Sequence, residues 1–165
     1  MRIMRRSSVY QTVLLIISVA ICLVAGVIGS FFTTPNIPTW YADLNKPWFT
    51  PPSWVFGPVW TILYILMGIS LFLVLREGWE RRDVQIGTAV FGIQLALNIL
   101  WSYLFFGLRS PLYGLIGIVA LWIAILATIV WFFRISRPAA ILLIPYIAWV
   151  SIATALNYSI YVLNP

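Results

Sequence analysis

Residues 35–64 read PNIPTWYADLNKPWFTPPSWVFGPVWTILY, and the rest of the chain is organised around them. The prolines are Pro35, Pro38, Pro47, Pro51, Pro52 and Pro58, and the amphipathic rings are Trp40, Tyr41, Trp48, Trp54, Trp60 and Tyr64, with only Asp43 and Lys46 charged. Each proline fixes φ and removes a donor, and each residue before one is pushed toward extended geometry. Rings with one wet and one apolar end favour the membrane–water boundary. A flexible linker has neither property. The stretch reads as a stiff aromatic cap, and it runs directly into an apolar segment.

Outward from the cap the chain is apolar in both directions. The 165 residues are 62% hydrophobic and 8% charged, with a mean hydropathy of +1.00, whereas charged residues make up about a quarter of an ordinary soluble domain. Runs near the length needed to cross hydrocarbon fall at 9–29, 54–75, 84–106, 112–133 and 139–163. The expectation is an all-α integral membrane protein: a five-helix bundle with a long capping loop between the first two spans, organised as a single domain over 1–165. The first run follows Arg2, Arg5 and Arg6 and imitates a secretion signal, but it is long for one and lacks a convincing cleavage site.

Charge placement sets an expected orientation. Arg2, Arg5, Arg6, Arg76, Arg81, Arg82, Arg134 and Arg137 fall at one end of such a bundle, and only Lys46 and Arg109 at the other. The positive-inside tendency then puts the N-terminus in the cytoplasm and the first loop on the opposite side. The net charge of +6 does not imply a nucleic-acid partner, because the basic residues are spread over loops and form no stripe. Histidine is absent and Cys22 is the sole cysteine, so no cofactor or metal is expected and His-based nucleophile systems are excluded. The acids Asp43, Glu77, Glu80 and Asp83 lie in loops or at helix ends. Chemistry inside the membrane is left to aromatics, amides and hydroxyls.

The spans differ in their faces. Ser18, Cys22, Ala25, Gly26, Gly29 and Ser30 allow a neighbour to approach the first span closely. In the loop, Trp40-Tyr41 and Trp48-Phe49 could fold inward as a lid or lie outward as a belt. The second span, expected to be capped by Ser53, puts Trp60, Tyr64 and Met67 on one face. The third directs Gln94, Asn98 and Trp101 to one side, and its amides are costly in hydrocarbon unless they point into the bundle. Its other side carries the small residues Thr88, Gly92 and Ala96, suited to a second protomer or to internal packing. The fourth starts at Ser110-Pro111, packs through Ala120, Ala124 and Thr128, and turns Trp122 and Trp131 to lipid or its boundary. The fifth repeats every four residues as Pro145, Trp149, Ala153, Asn157 and Tyr161, with a kink expected at Pro145.

The residues Trp40-Tyr41, Leu44, Lys46-Pro47, Pro51-Pro52, Phe56-Gly57-Pro58, Trp60-Thr61 and Leu63-Tyr64, followed by Pro145-Tyr146-Ile147-Ala148-Trp149, Ala153 and Leu156-Asn157, carry a resemblance. In order and spacing they resemble the TspO/translocator protein family, once called peripheral benzodiazepine receptors, over nearly the whole chain. The resemblance implies that Tyr41 and Pro47 lie at the ligand pocket, and with them the stripes of Trp60 and Tyr64, of Asn98 and Trp101, and of Trp149, Ala153 and Asn157 could enclose one cavity opening toward the cap. It implies a ligand class of porphyrins and related tetrapyrroles, with sterols and benzodiazepine-type drugs for some members, and a homodimer through the small face of the third span. The sterol motif proposed for animal members needs a basic residue after its tyrosine. Here Leu156-Asn157-Tyr158 is followed by no Lys or Arg, which favours tetrapyrroles over sterols. Three roles stand open: a receptor or carrier for tetrapyrroles, an enzyme degrading protoporphyrin with light and oxygen through Trp60 and Trp149, and a structural membrane protein whose rings are anchors.

Overall fold

A computed structural model describes residues 6–165. Arg2 and Arg5, which entered the orientation argument, lie outside them. The first helix, α1 (Ser8–Thr33), starts where the Ser7 side chain accepts from the Tyr10 N–H at 3.2 Å, a standard N-cap. It does not stop at the prolines. A 3₁₀ turn (Thr34–Asn36) and a wider π-helical turn (Ile37–Tyr41) continue it, giving one helical span from Ser8 to Tyr41. The expected long irregular loop is therefore short, covering 42–52 only.

The continuation survives its prolines because other groups serve the carbonyls at this helix end. Asn36 Nδ2 donates to Phe32 O at 2.7 Å and Thr39 Oγ1 to Pro35 O at 3.0 Å. Lys46 Nζ reaches back to the carbonyls of Tyr41, Ala42 and Leu44 at 2.8, 3.2 and 3.0 Å. An ammonium group is favoured there by the negative end of the helix dipole.

The remaining elements are α2 (Ser53–Leu75), α3 (Arg82–Ser102) with a π-helical turn at its end (Tyr103–Gly107), α4 (Pro111–Ile135), α5 (Arg137–Leu142) and α6 (Ile144–Leu163). Among the described residues, five helical spans, the last formed by α5 and α6 together, are long and apolar enough to cross a membrane. The chain is an integral, multi-pass membrane protein. Ser53 is not the cap of α2. It is the first helical residue, and Pro52 ahead of it offers no side chain to cap with. Pro145 does interrupt the fifth span: the backbone turns at Leu143 (φ −90, ψ −6) and α6 starts afresh with the proline in its first turn, where its missing N–H costs nothing.

Small residues position α1 against α2. A Cβ on Gly68 would collide with the Val19 backbone, and one on Gly26 would stand 2.6 Å from the Tyr64 ring. Ser18, Cys22, Ala25 and Gly29 are buried as expected, while Ser30 is exposed. Met67, Val74, Ile118, Leu121 and Ile125 are completely buried at the centre. Helices α3 and α4 meet through Phe91 stacked on Phe132 at 5.8 Å. Trp122 and Trp131 are half-buried ties between helices, a firmer role than facing lipid: their indole N–H groups donate to Ser151 Oγ and to the Asp83 carbonyl, both at 2.9 Å.

Polar pairs mark the two ends of the bundle. At one, Arg6 meets Glu80 at 3.3 Å and Arg81 meets Asp83 at 2.7 Å. At the other, Asn164 pairs with the Asn45 backbone, accepting its N–H at 3.0 Å and donating to its carbonyl at 2.9 Å. Arg109 donates to Asn36 Oδ1 at 3.0 Å. The last two contacts pin the capping segments to the bundle.

Candidate binding site

Beneath the continued first helix lies a cavity of about 530 Å³, within the usual range for small-molecule sites. Its construction follows from the helix periods. Trp60 and Tyr64, one turn apart on α2, stack at 5.7 Å. Trp101 on α3 approaches Trp60 at 6.2 Å and stacks on Phe105 at 5.8 Å. The π-helical turn inserts a residue into the ordinary period, and Phe105 and Phe106 are both buried by it. A second row crosses the top: Tyr41 contacts Phe56 at 6.1 Å and Phe56 contacts Trp149 at 6.1 Å, both edge to face. Such arrangements add to simple area burial.

Of the sequence-derived candidates, Tyr41, Trp60, Tyr64, Trp101, Trp149, Ala153 and Asn157 line this one cavity. Pro47 and Asn98 do not. Pro47 sits half-buried in the 42–52 loop. The roof of the cavity is made instead by Thr33, Thr34, Ile37 and Tyr41 of the continued first helix. The lid-or-belt alternatives divide by residue. Trp40 packs inward on Phe105 at 5.3 Å and Tyr41 is buried, while Trp48 is 95% exposed.

Asn98 lies one layer below the cavity in a buried chain of hydrogen bonds. Tyr64 Oη donates to Asn98 Oδ1 at 2.5 Å, Asn98 Nδ2 donates to Tyr146 Oη at 2.8 Å, and Tyr146 Oη donates to Gln94 Oε1 at 2.9 Å. Gln94 and Asn98 thus point into the bundle as expected. Asn157 is likewise committed, accepting from Trp101 Nε1 at 3.1 Å and donating to Pro111 O at 2.9 Å. These amides fix the walls. Sequence reasoning missed Phe56, Phe105, Phe106 and Ser102 as lining residues and Tyr146 as the anchor of the floor. Phe56 and Tyr146 belong to the quoted motifs, and a tyrosine at hydrocarbon depth is itself a sign of a buried partner.

Among the described residues, the lining carries no Lys, Arg, Asp or Glu. An uncharged aromatic chamber under a helical roof, inside a bundle of membrane spans, defines a class: a multi-pass membrane protein with an intramembrane aromatic cavity. Comparisons with known proteins narrow this. The model of the TspO/MBR family matches residues 18–163. Similar proteins include "Tryptophan-rich protein TspO" of Chlorobaculum tepidum, 48% identical over 94% of this chain and 98% of its own, and the protein of the same name from Archaeoglobus fulgidus, 50% identical over 91% and 96%. The human "Translocator protein" is 40% identical over 81% of this chain and 80% of its own. The chain belongs to the TspO/MBR family.

Proposed function

We propose that this protein is a membrane receptor or carrier that binds porphyrins and related tetrapyrroles in the aromatic cavity and takes part in their trafficking or in stress regulation. The observation that carries the reading is the convergence of Trp60, Trp101, Trp149, Phe56 and Phe105 from separate spans on one uncharged chamber. Flat rings stack on such walls, and an apolar guest loses little on leaving lipid. The exposed lining residues Val27, Ser30, Thr34, Gly57 and Thr61 all lie along the first helical span and α2, so the guest enters sideways between these helices. Titration of protoporphyrin into the purified protein is expected to quench tryptophan emission saturably, and Trp149→Ala to weaken binding about tenfold through lost stacking. Absence of saturable quenching returns the protein to the structural reading.

Trp60 and Trp149 line the same cavity, which favours one alternative, a light- and oxygen-dependent degradation of protoporphyrin. A defined product, abolished in Trp60→Phe and Trp149→Phe, supports it; bleaching at the rate of an unrelated protein counts against it.

The homodimer through Thr88, Gly92 and Ala96 is supported by exposure of Gly92 and Ala96, with open space around Gly92. An Ala96→Cys variant is expected to cross-link in membranes, and failure to do so removes this interface.

A further inference from the structure

Resting on the ligand reading above, one buried polar group of the cavity is left to specify the guest. Ser102 closes α3, is 7% exposed and lines the chamber. Its hydroxyl has no hydrogen-bond partner among the described residues. The room for it comes from Gly29, where a Cβ would stand 3.2 Å from Ser102 Oγ. Thr34, the other lining hydroxyl without a protein partner, is exposed and can be met by solvent or headgroups; the remaining polar groups nearby are occupied or sealed. Tyr64, Asn157 and Trp101 are bonded to protein, and the hydroxyls of Ser30, Thr33 and Thr61 donate to carbonyls of their own helices. The Tyr41 hydroxyl and the Trp149 N–H lack partners too, but both atoms are fully closed off. A buried hydroxyl without a partner costs free energy that a ligand acceptor recovers.

The charge of the site limits what that acceptor can be. With no cation in the lining, an ionised carboxylate would be desolvated without compensation. We propose that Ser102 donates a hydrogen bond to a neutral carbonyl oxygen on the edge of the bound ligand, of the ester, amide, ketone or protonated carboxyl kind. Ser102 thereby sets the orientation of a guest whose affinity comes from stacking, and leaves ionised substituents at the mouth.

The test compares two porphyrins that share a macrocycle: protoporphyrin IX dimethyl ester, which carries neutral carbonyl groups, and etioporphyrin, which carries only alkyl groups. Dissociation constants are measured by tryptophan quenching for the native protein and for Ser102→Ala. The expected result is about tenfold weaker binding of the ester, the worth of one hydrogen bond, with etioporphyrin changed less than about twofold. An equal change for both porphyrins, or none for the ester, overturns the assignment of Ser102. If the native protein binds neither porphyrin, the ligand reading of the cavity fails, an outcome distinct from loss of carbonyl discrimination.

Discussion

Asn98 has an exacting environment. Its amide is 1% exposed and joins Tyr64 of α2 to Tyr146 of α6. Interhelical hydrogen bonds in membrane proteins are worth roughly 0.6 kcal/mol on average and up to about 1.7. Asn98→Ala removes two and strands the Tyr64 hydroxyl, while Tyr146 keeps its bond to Gln94, so a loss of about 2 kcal/mol is expected. Tyr64→Phe, which removes one bond, should cost about half as much. Denaturation by SDS, followed by circular dichroism, measures both; equal stability of Asn98→Ala and the native protein would show the chain to be passive. Asn98 was legible as an inward residue because an amide in hydrocarbon demands a partner. Its distance from the cavity was not, since one helical face spans several layers in depth and sequence gives the face alone. Asn157 lines the cavity on the stripe with Trp149 that its period gives, but both ends of its amide are taken by Trp101 and Pro111.

At the scale of elements, the helical periods of α2 and α3 were readable because their polar residues break an apolar background: Trp60 and Tyr64 on one, Gln94 and Asn98 on the other. Helix α6 presents large rings on more than one face, so its Trp149 stripe drew the reading while the one clue to its buried Tyr146–Val150 face was the depth of Tyr146. The continuation of α1 through Pro35 and Pro38 was hidden because its support comes from elsewhere, above all from Lys46. The Lys46 ammonium meets three backbone carbonyls and lies 4.9 Å from the centre of the Tyr41 ring. Charge-assisted bonds and a cation–π contact each contribute on the order of 1 kcal/mol. Lys46→Met is therefore expected to loosen the π-helical turn that carries Tyr41. The consequence to measure is porphyrin dissociation, several-fold faster by stopped-flow fluorescence, with thermal stability of the bundle little changed. An unchanged dissociation rate would show that the turn holds without its ammonium cap.

For the whole molecule, the spans and their order were legible from hydropathy alone, since hydrocarbon leaves the backbone few options besides a helix. Orientation is a separate matter, set by charge. Arg76, Arg81, Arg82, Arg134 and Arg137 all lie at the bundle end where Arg6 meets Glu80, and Lys46 and Arg109 lie at the other, both engaged with the cap. The arginine-rich end is the costly one to translocate. An odd number of spans then puts Pro165 across the membrane from Arg6. Alkaline phosphatase fused after Pro165 is expected to be active in a bacterial host, and green fluorescent protein at the same position to be dark. The opposite pattern would place the cap and the mouth of the cavity in the cytoplasm, and with them the compartment from which an ionised edge of the guest is seen. Exchanging the arginines of the 76–82 link for glutamine while adding arginines to the 42–52 loop should shift part of the population toward that opposite pattern, because the same bias is then reduced at one end and raised at the other.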